Sequence, residues 1–173
     1  MDGLTRKYIS ELAQRVMDVY NIKTPIVDMK SIVQRLGGTI EEKSDFDDLC
    51  DGTIQKSGKS NFKITISPYQ NNQRKNFTIA HELGHLFLHM GFMTDRKLWN
   101  TQDEKVYGRF GTSEQEYQAN EFAAALLMPE NIYKDILDEH SRGNKVNMNE
   151  VAKYFKVSLS AAINRGKFLG YLA

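Results

Sequence analysis

The chain has 173 residues with 23 basic and 22 acidic side chains, a formal net charge of +1, and a 40% hydrophobic content typical of a folded soluble protein. That length fits one domain with a small appendage, and the near-zero charge gives no global field directed at nucleic acid or a membrane. Cys50 is the only cysteine, which excludes an intrachain disulfide framework and any zinc site built from several thiolates, and favours a cytoplasmic setting.

The N-terminus lacks an apolar signal region, and no stretch approaches a membrane span. From Leu4 to Tyr20, the residues Leu4, Tyr8, Leu12, Val16 and Val19 recur at helical spacing after a potential cap, Asp2. A second helix is expected between Asp28 as N-cap and Gly37-Gly38, with Met29, Ile32, Val33 and Leu36 as its apolar stripe and Pro25 in the preceding turn. The period then changes. Thr39–Glu41, Cys50–Lys56 and Asn61–Ser67 read as strands, with Phe62, Ile64 and Ile66 alternating against Lys63, Thr65 and Ser67, and with Ser57–Ser60 as a hairpin loop. Cys50 is expected as a core or strand residue, and Asp45–Asp48 as part of a solvated loop.

Pro68 ends the third strand, the polar run Tyr69–Lys75 connects, and Asn76–Met90, reading NFTIAHELGHLFLHM, is expected to be a helix. Gly84 within it implies close approach of a neighbouring backbone, because glycine there costs roughly 1 kcal/mol relative to alanine. Residues Gly91 to Thr112 read as a long loop with at most short helical pieces. Ser113 then caps a helix from Glu114 to Met128, ended by Pro129, and Asn131–Glu139 is a further helical stretch before a Gly143-Asn144 turn. Two short helices close the chain, Glu150–Phe155 and Leu159–Leu169 with Ser158 as cap, in a helix-turn-helix-like arrangement.

His81 and His85 are four residues apart and therefore share a helix face, with Glu82 between them. In this H-E-x-x-H pattern two imidazoles bind one zinc ion, and the glutamate takes a proton from the water the ion activates, a chemistry suited to amide hydrolysis. A third protein ligand is then required. Glu114, Glu116 and Glu121 all lie on the later helix, but only Glu116 belongs to a pattern with a mechanism: Asn120, four residues on, can hydrogen-bond a ligand imidazole from the same face. The pair resembles the gluzincin arrangement, with asparagine in place of the usual aspartate. The metzincin pattern fails, since Leu88 and Gly91 stand where glycine and histidine are required. His89 is carried about 80° around the helix from His81, so a buried, hydrogen-bonded role is expected for it. His140 reads as a helix-end residue, and Tyr107, Arg109 and Tyr117 are weighed as oxyanion-stabilising groups without one being assigned.

Together, Arg74–His89 and the block Glu116-Tyr117-Gln118-Ala119-Asn120-Glu121-Phe122-Ala123-Ala124 with Leu126–Pro129 resemble the ImmA/IrrE family of metallo-endopeptidases over roughly Pro25 to Pro129. The resemblance implies an α+β fold: a compact zincin-like domain at residues 1–143 with a small, partly antiparallel sheet packed on helices, then a C-terminal helical segment at 144–173. It implies one zinc ion held by His81, His85 and Glu116, with Glu82 catalytic. It also implies a protein substrate, a helix-turn-helix repressor of the phage or mobile-element type. Substrate is expected to lie along a sheet edge, with Asn61–Ser67 the favoured strand. The competing reading is a non-catalytic, metal-stabilised regulator binding DNA or a repressor through its C-terminal helices, where Lys153, Lys156, Arg165 and Lys167 are candidates for phosphate contact.

Overall fold

A computed structural model describes residues 2–44, 51–103, 113–143 and 145–173, and residues 106–107 in backbone only. The first helix, α1 (Gly3–Val19), starts where the Asp2 carboxylate accepts the Thr5 N–H, satisfying one of the orphan donors at a helix start. Its buried seam is Ile9, Leu12, Ala13, Val16 and Met17, whereas Leu4, Tyr8 and Val19, expected in the stripe, are mostly exposed. The seam follows the i, i+3, i+4, i+7 and i+8 pattern from Ile9, and an alanine and a methionine complete it in place of the larger aromatic and β-branched residues.

Helix α2 (Met29–Arg35) begins with the Asp28 carboxylate accepting the Ser31 N–H and buries Met29, Ile32 and Val33; Leu36 follows at its C-cap, also buried. Strands β1 (Gly38–Glu42), β2 (Gly52–Lys56) and β3 (Phe62–Ile66) follow. Cys50 and Asp45–Asp48 lie outside the described residues. The hairpin is present, with Lys56 opposite Phe62 and Gly52 opposite Ile66 in antiparallel register. β1 pairs with β3 in parallel, so the sheet is mixed. A short strand, β4 (Val106–Tyr107), adds to β2, giving the order β1-β3-β2-β4. β3 is therefore central, paired on both sides, and Asn61–Ser67 is not the edge expected to receive substrate. The clean alternation of Phe62, Ile64 and Ile66 reports burial of one face, and burial does not distinguish a central strand from an edge.

Helix α3 (Asn72–Leu88) starts four residues earlier than expected, because Asn71 caps it by accepting the Arg74 N–H. It packs on β2 and β3 on one side and on α5 (Ser113–Leu127) on the other, and α1 lies against α5. The site thus sits between a sheet and a helix layer. Gly84 explains how close the two helices come: a Cβ placed there would lie 2.8 Å from Ala119 Cα and 3.0 Å from its carbonyl oxygen. Between α3 and α5 the chain forms α4 (Arg96–Thr101), whose Trp99 is buried in a cluster with Phe92, Phe87 and Phe62.

Helix α6 (Glu130–Glu139) ends at His140 as its C-cap, and a two-residue hairpin, β5 (Ser141–Arg142) and β6 (Lys145–Val146), leads to α7 (Met148–Phe155) and α8 (Leu159–Phe168). Ser158 caps α8 by accepting the Ala161 N–H. Arg165 differs from the expectation of a phosphate-facing cation. It is 3% exposed, donates 2.8 Å to Glu121 Oε1 and 3.1 Å to the Met128 carbonyl, and so ties α8 to α5. Its position on the buried side of α8 was not separable from the basic run by sequence, since Lys167 and Arg165 differ only in helical phase. Among the described residues no helix is long and apolar enough to cross a membrane.

Candidate metal centre

α3 projects His81, Glu82 and His85 towards α5, which returns Glu116, Gln118 and Asn120. His81 Nε2 and His85 Nε2 lie 3.0 Å apart, Glu116 Oε2 is 3.2 Å from the first, and Glu116 Oε1 is 3.3 Å from the second. These three side chains form a group able to hold a metal ion. Ligand atoms about 2.0–2.1 Å from a tetrahedral zinc would stand about 3.3 Å apart, so the observed spacing matches the donor edge of such a site.

The hydrogen bonds behind the imidazoles fix which nitrogens face inward. His81 Nδ1 lies 2.9 Å from Asn120 Oδ1, an acceptor, so Nδ1 carries the hydrogen and Nε2 presents its lone pair to the site. His85 Nδ1 is 2.9 Å from His89 Nδ1, and His89 Nε2 is 2.9 Å from Gln118 Oε1. With the amide oxygen accepting from His89 Nε2–H, His89 Nδ1 is the acceptor for His85 Nδ1–H, which leaves His85 Nε2 as a second inward lone pair. Burial lowers the pKa of both, His85 to about 3, with further lowering there by His81 and His89, so both are neutral at pH 7. Two neutral nitrogens and a carboxylate then converge with lone pairs facing one another. A cation is the species that satisfies all three.

Glu82 is 3% exposed and its Oε2 is buried without a hydrogen-bond partner among the described residues. The start of β2 covers it: a Cβ on Gly52 would meet Thr78 Cγ2 at 2.5 Å and Glu82 Oε1 at 3.2 Å. Burial, aided by the Glu116 charge, raises its pKa to about 8. A carboxyl so shifted keeps its proton at pH 7 in the metal-free protein, and a cation held by the adjacent donors would favour its ionised form. The cleft has a volume of about 360 Å³ and is lined by Asp51, Gly52, Thr78, Glu82, Glu116 and Asn120 among others.

Each predicted site residue is therefore at one place: His81, Glu82, His85, Glu116 and Asn120 all border it. His89 lies behind His85, hydrogen-bonded as expected but only partly buried. Gln118 was missed. Its signal was available: it lies two residues before Asn120 on the same helix, but only a partner on the neighbouring element makes it meaningful. Tyr117 is 68% exposed; Arg109 and the Tyr107 side chain lie outside the described residues.

A family model described as the IrrE N-terminal-like domain, peptidase M78, matches residues 36–167. No curated protein matches the chain in sequence. Among solved structures, a Mycobacterium tuberculosis transcriptional regulator is similar over 92% of this chain, with a TM-score of 0.61 at 14% identity. The match covers 46% of that regulator, so this chain spans less than half its length, and the likeness is one of fold. The family match spans both helices of the centre, and the chain belongs to the peptidase M78 family, the ImmA/IrrE group.

Proposed function

We propose that the chain is a zinc-dependent endopeptidase whose substrate is a helix-turn-helix repressor, cleaved in the cytoplasm to relieve repression. The observation that carries the hydrolase reading is the unpartnered, buried Glu82 Oε2 beside three converging donors. A purely structural zinc site is closed by four protein ligands; here the described donors number three and a carboxyl able to move a proton stands next to them.

His81, His85 and Glu116 would hold the ion. Zinc, when bound, supplies a Lewis acid that polarises the scissile carbonyl and brings the pKa of a water near 7. Glu82 accepts the proton as the water oxygen bonds to the carbonyl carbon, then delivers it to the amine nitrogen as the C–N bond breaks. Asn120 holds His81, and the His89–Gln118 pair holds His85, each in the tautomer the site requires. Residues 1–143 contain all of these groups, and the helices at 144–173 serve as a wall against α5. A regulatory role is supported by the likeness in fold to the Mycobacterium tuberculosis transcriptional regulator, while the repressor as substrate rests on the family resemblance.

The test is co-expression with the helix-turn-helix repressor encoded nearest to this chain, followed by mass spectrometry of the repressor. The wild type yields two fragments, Glu82→Gln retains zinc and yields none, and Glu116→Ala loses zinc. Absence of fragments with the wild type, together with equal relief of repression by wild type and Glu82→Gln, would overturn the reading in favour of a non-catalytic regulator.

A further inference from the structure

A second concavity of about 960 Å³ opens between α5, α8 and the start of α3. It is continuous with the metal cleft, because Arg74, Phe77 and Asn120 line both. Along α5 it extends from Asn120 to Met128, eight residues, or about 12 Å at the helical rise. An extended chain advances about 3.3 Å per residue, so about four residues fit along it.

The groove is preformed. Arg165 bonds Glu121 and the Met128 carbonyl across its floor, tying α8 to α5, and the Tyr133 hydroxyl on α6 donates 2.6 Å to the Ala162 carbonyl, tying α8 to α6 as well. Its apolar surface comes from Phe77, Ala124, Met128 and Ala161, while the Ser158, Ser160 and Asn164 side chains provide hydrogen-bonding groups along the opposite rim. The charges largely cancel in place: Arg165 pairs with Glu121 and Arg74 with Asp51. Arg6 remains. Its guanidinium lies 4.9 Å over the Phe168 ring, and no carboxylate among the described residues forms an ion pair with it. An apolar trough, polar groups for a peptide backbone and an exposed cation outside any ion pair among the described residues, its nearby carboxylate Glu121 being buried and already paired with Arg165, describe the complement of a short acidic-aliphatic peptide.

We propose that this groove is the specificity subsite of the peptidase, receiving about four residues of substrate on one side of the scissile bond, with aliphatic side chains against Phe77 and Met128 and an acidic side chain at Arg6. The inference rests on the metallopeptidase reading of the adjoining cleft, and it adds the class of sequence the enzyme selects.

The zinc-loaded full chain is titrated with acetohydroxamic acid, which is too small to leave the metal cleft, and with two peptide hydroxamates carrying Leu-Leu-Asp on the amino or the carboxyl side of the chelating group. One of the two is expected to bind about tenfold or more tightly than acetohydroxamic acid, given that each buried methylene contributes roughly a factor of four. Asn164→Trp, at an exposed position on the groove rim, should abolish that gain and leave acetohydroxamic acid affinity unchanged. Arg6→Glu should reverse the preference between Asp and Lys at the terminal position. Equal gains in wild type and both variants would overturn the groove while leaving the metal cleft intact. Failure of acetohydroxamic acid itself to bind zinc-loaded protein would overturn the metal-site reading and the groove with it.

Discussion

Replacing Glu82 by glutamine is expected to stabilise the metal-free protein while abolishing hydrolysis. Folding moves this carboxyl from its ordinary value of 4.5 to about 8, so at pH 7 the unfolded chain has released a proton that the folded chain retains. The interval from 4.5 to 7 is 2.5 pH units, and at about 1.4 kcal/mol for each the ionisable side chain costs the fold about 3 kcal/mol. The sign is set by proton binding: the folded state binds more protons, so stability is full below pH 4.5, falls as pH rises towards 8, and is level above it. Glutamine has no such dependence. Urea denaturation of chelator-treated protein at pH 5, 6, 7 and 8 should show the advantage of Glu82→Gln over the wild type growing with pH, the buried histidines contributing equally to both proteins, with a gap at pH 7 of about 6–12 °C in a parallel thermal scan. Saturating zinc should narrow the gap, because a nearby cation favours the carboxylate. Parallel pH profiles for the two metal-free proteins would refute the assignment of Glu82 as a buried, poised acid.

Gly84→Ala should weaken zinc binding and cost about 1–3 kcal/mol of stability by overpacking, despite a helix-propensity gain of about 1 kcal/mol, since the new methyl meets the Ala119 backbone at 2.8 Å; calorimetric titration with zinc and a thermal melt check both. Gln118→Leu and His89→Phe should each lower zinc affinity by about 10- to 100-fold, the range for partners behind a metal-ligating histidine, and nitrogen-15 spectra of the metal-free variants should show His85 in mixed tautomers. An unaltered tautomer would remove Gln118 from the site. Arg165→Met leaves Glu121 buried without its cation and should destabilise the protein by about 3–5 kcal/mol, whereas Arg165→Met with Glu121→Leu should recover most of the loss in denaturant melts.

Local signals in the chain were strong where one residue type satisfies one backbone need. Asp2, Asp28 and Ser158 each cap the helix expected of them, and Gly84 marks the close approach it implied. The metal motif was readable because helical spacing alone places His81 and His85 together, and the distant Glu116–Asn120 motif indicated the element that completes the group. Properties that depend on a neighbour were not readable. The buried face of α1 runs through Ile9, Ala13 and Met17 beside Leu12 and Val16, and leaves Leu4, Tyr8 and Val19 outside, a choice fixed by where α5 lies against the helix. β3 became central because β1 adds to it in parallel, a pairing with no local mark. Arg165 looks like any surface cation until Glu121, forty-four residues earlier, is placed against it, and Gln118 gains meaning only from His89 on the facing helix.

The contacts that shape the metal centre nearly all cross one boundary: α3 offers His81, Glu82, His85 and His89, and α5 answers with Glu116, Gln118 and Asn120. Two helices seventeen and fifteen residues long, kept in register by a glycine facing an alanine, thus contain the three donors proposed to hold the ion, the proposed proton carrier and the groups that orient them. Such a pair is a transplantable cassette. Installed in an unrelated helical scaffold with the same Gly84–Ala119 spacing, it should carry zinc binding with it, whereas sheet and groove would have to be rebuilt to recover hydrolysis and selectivity.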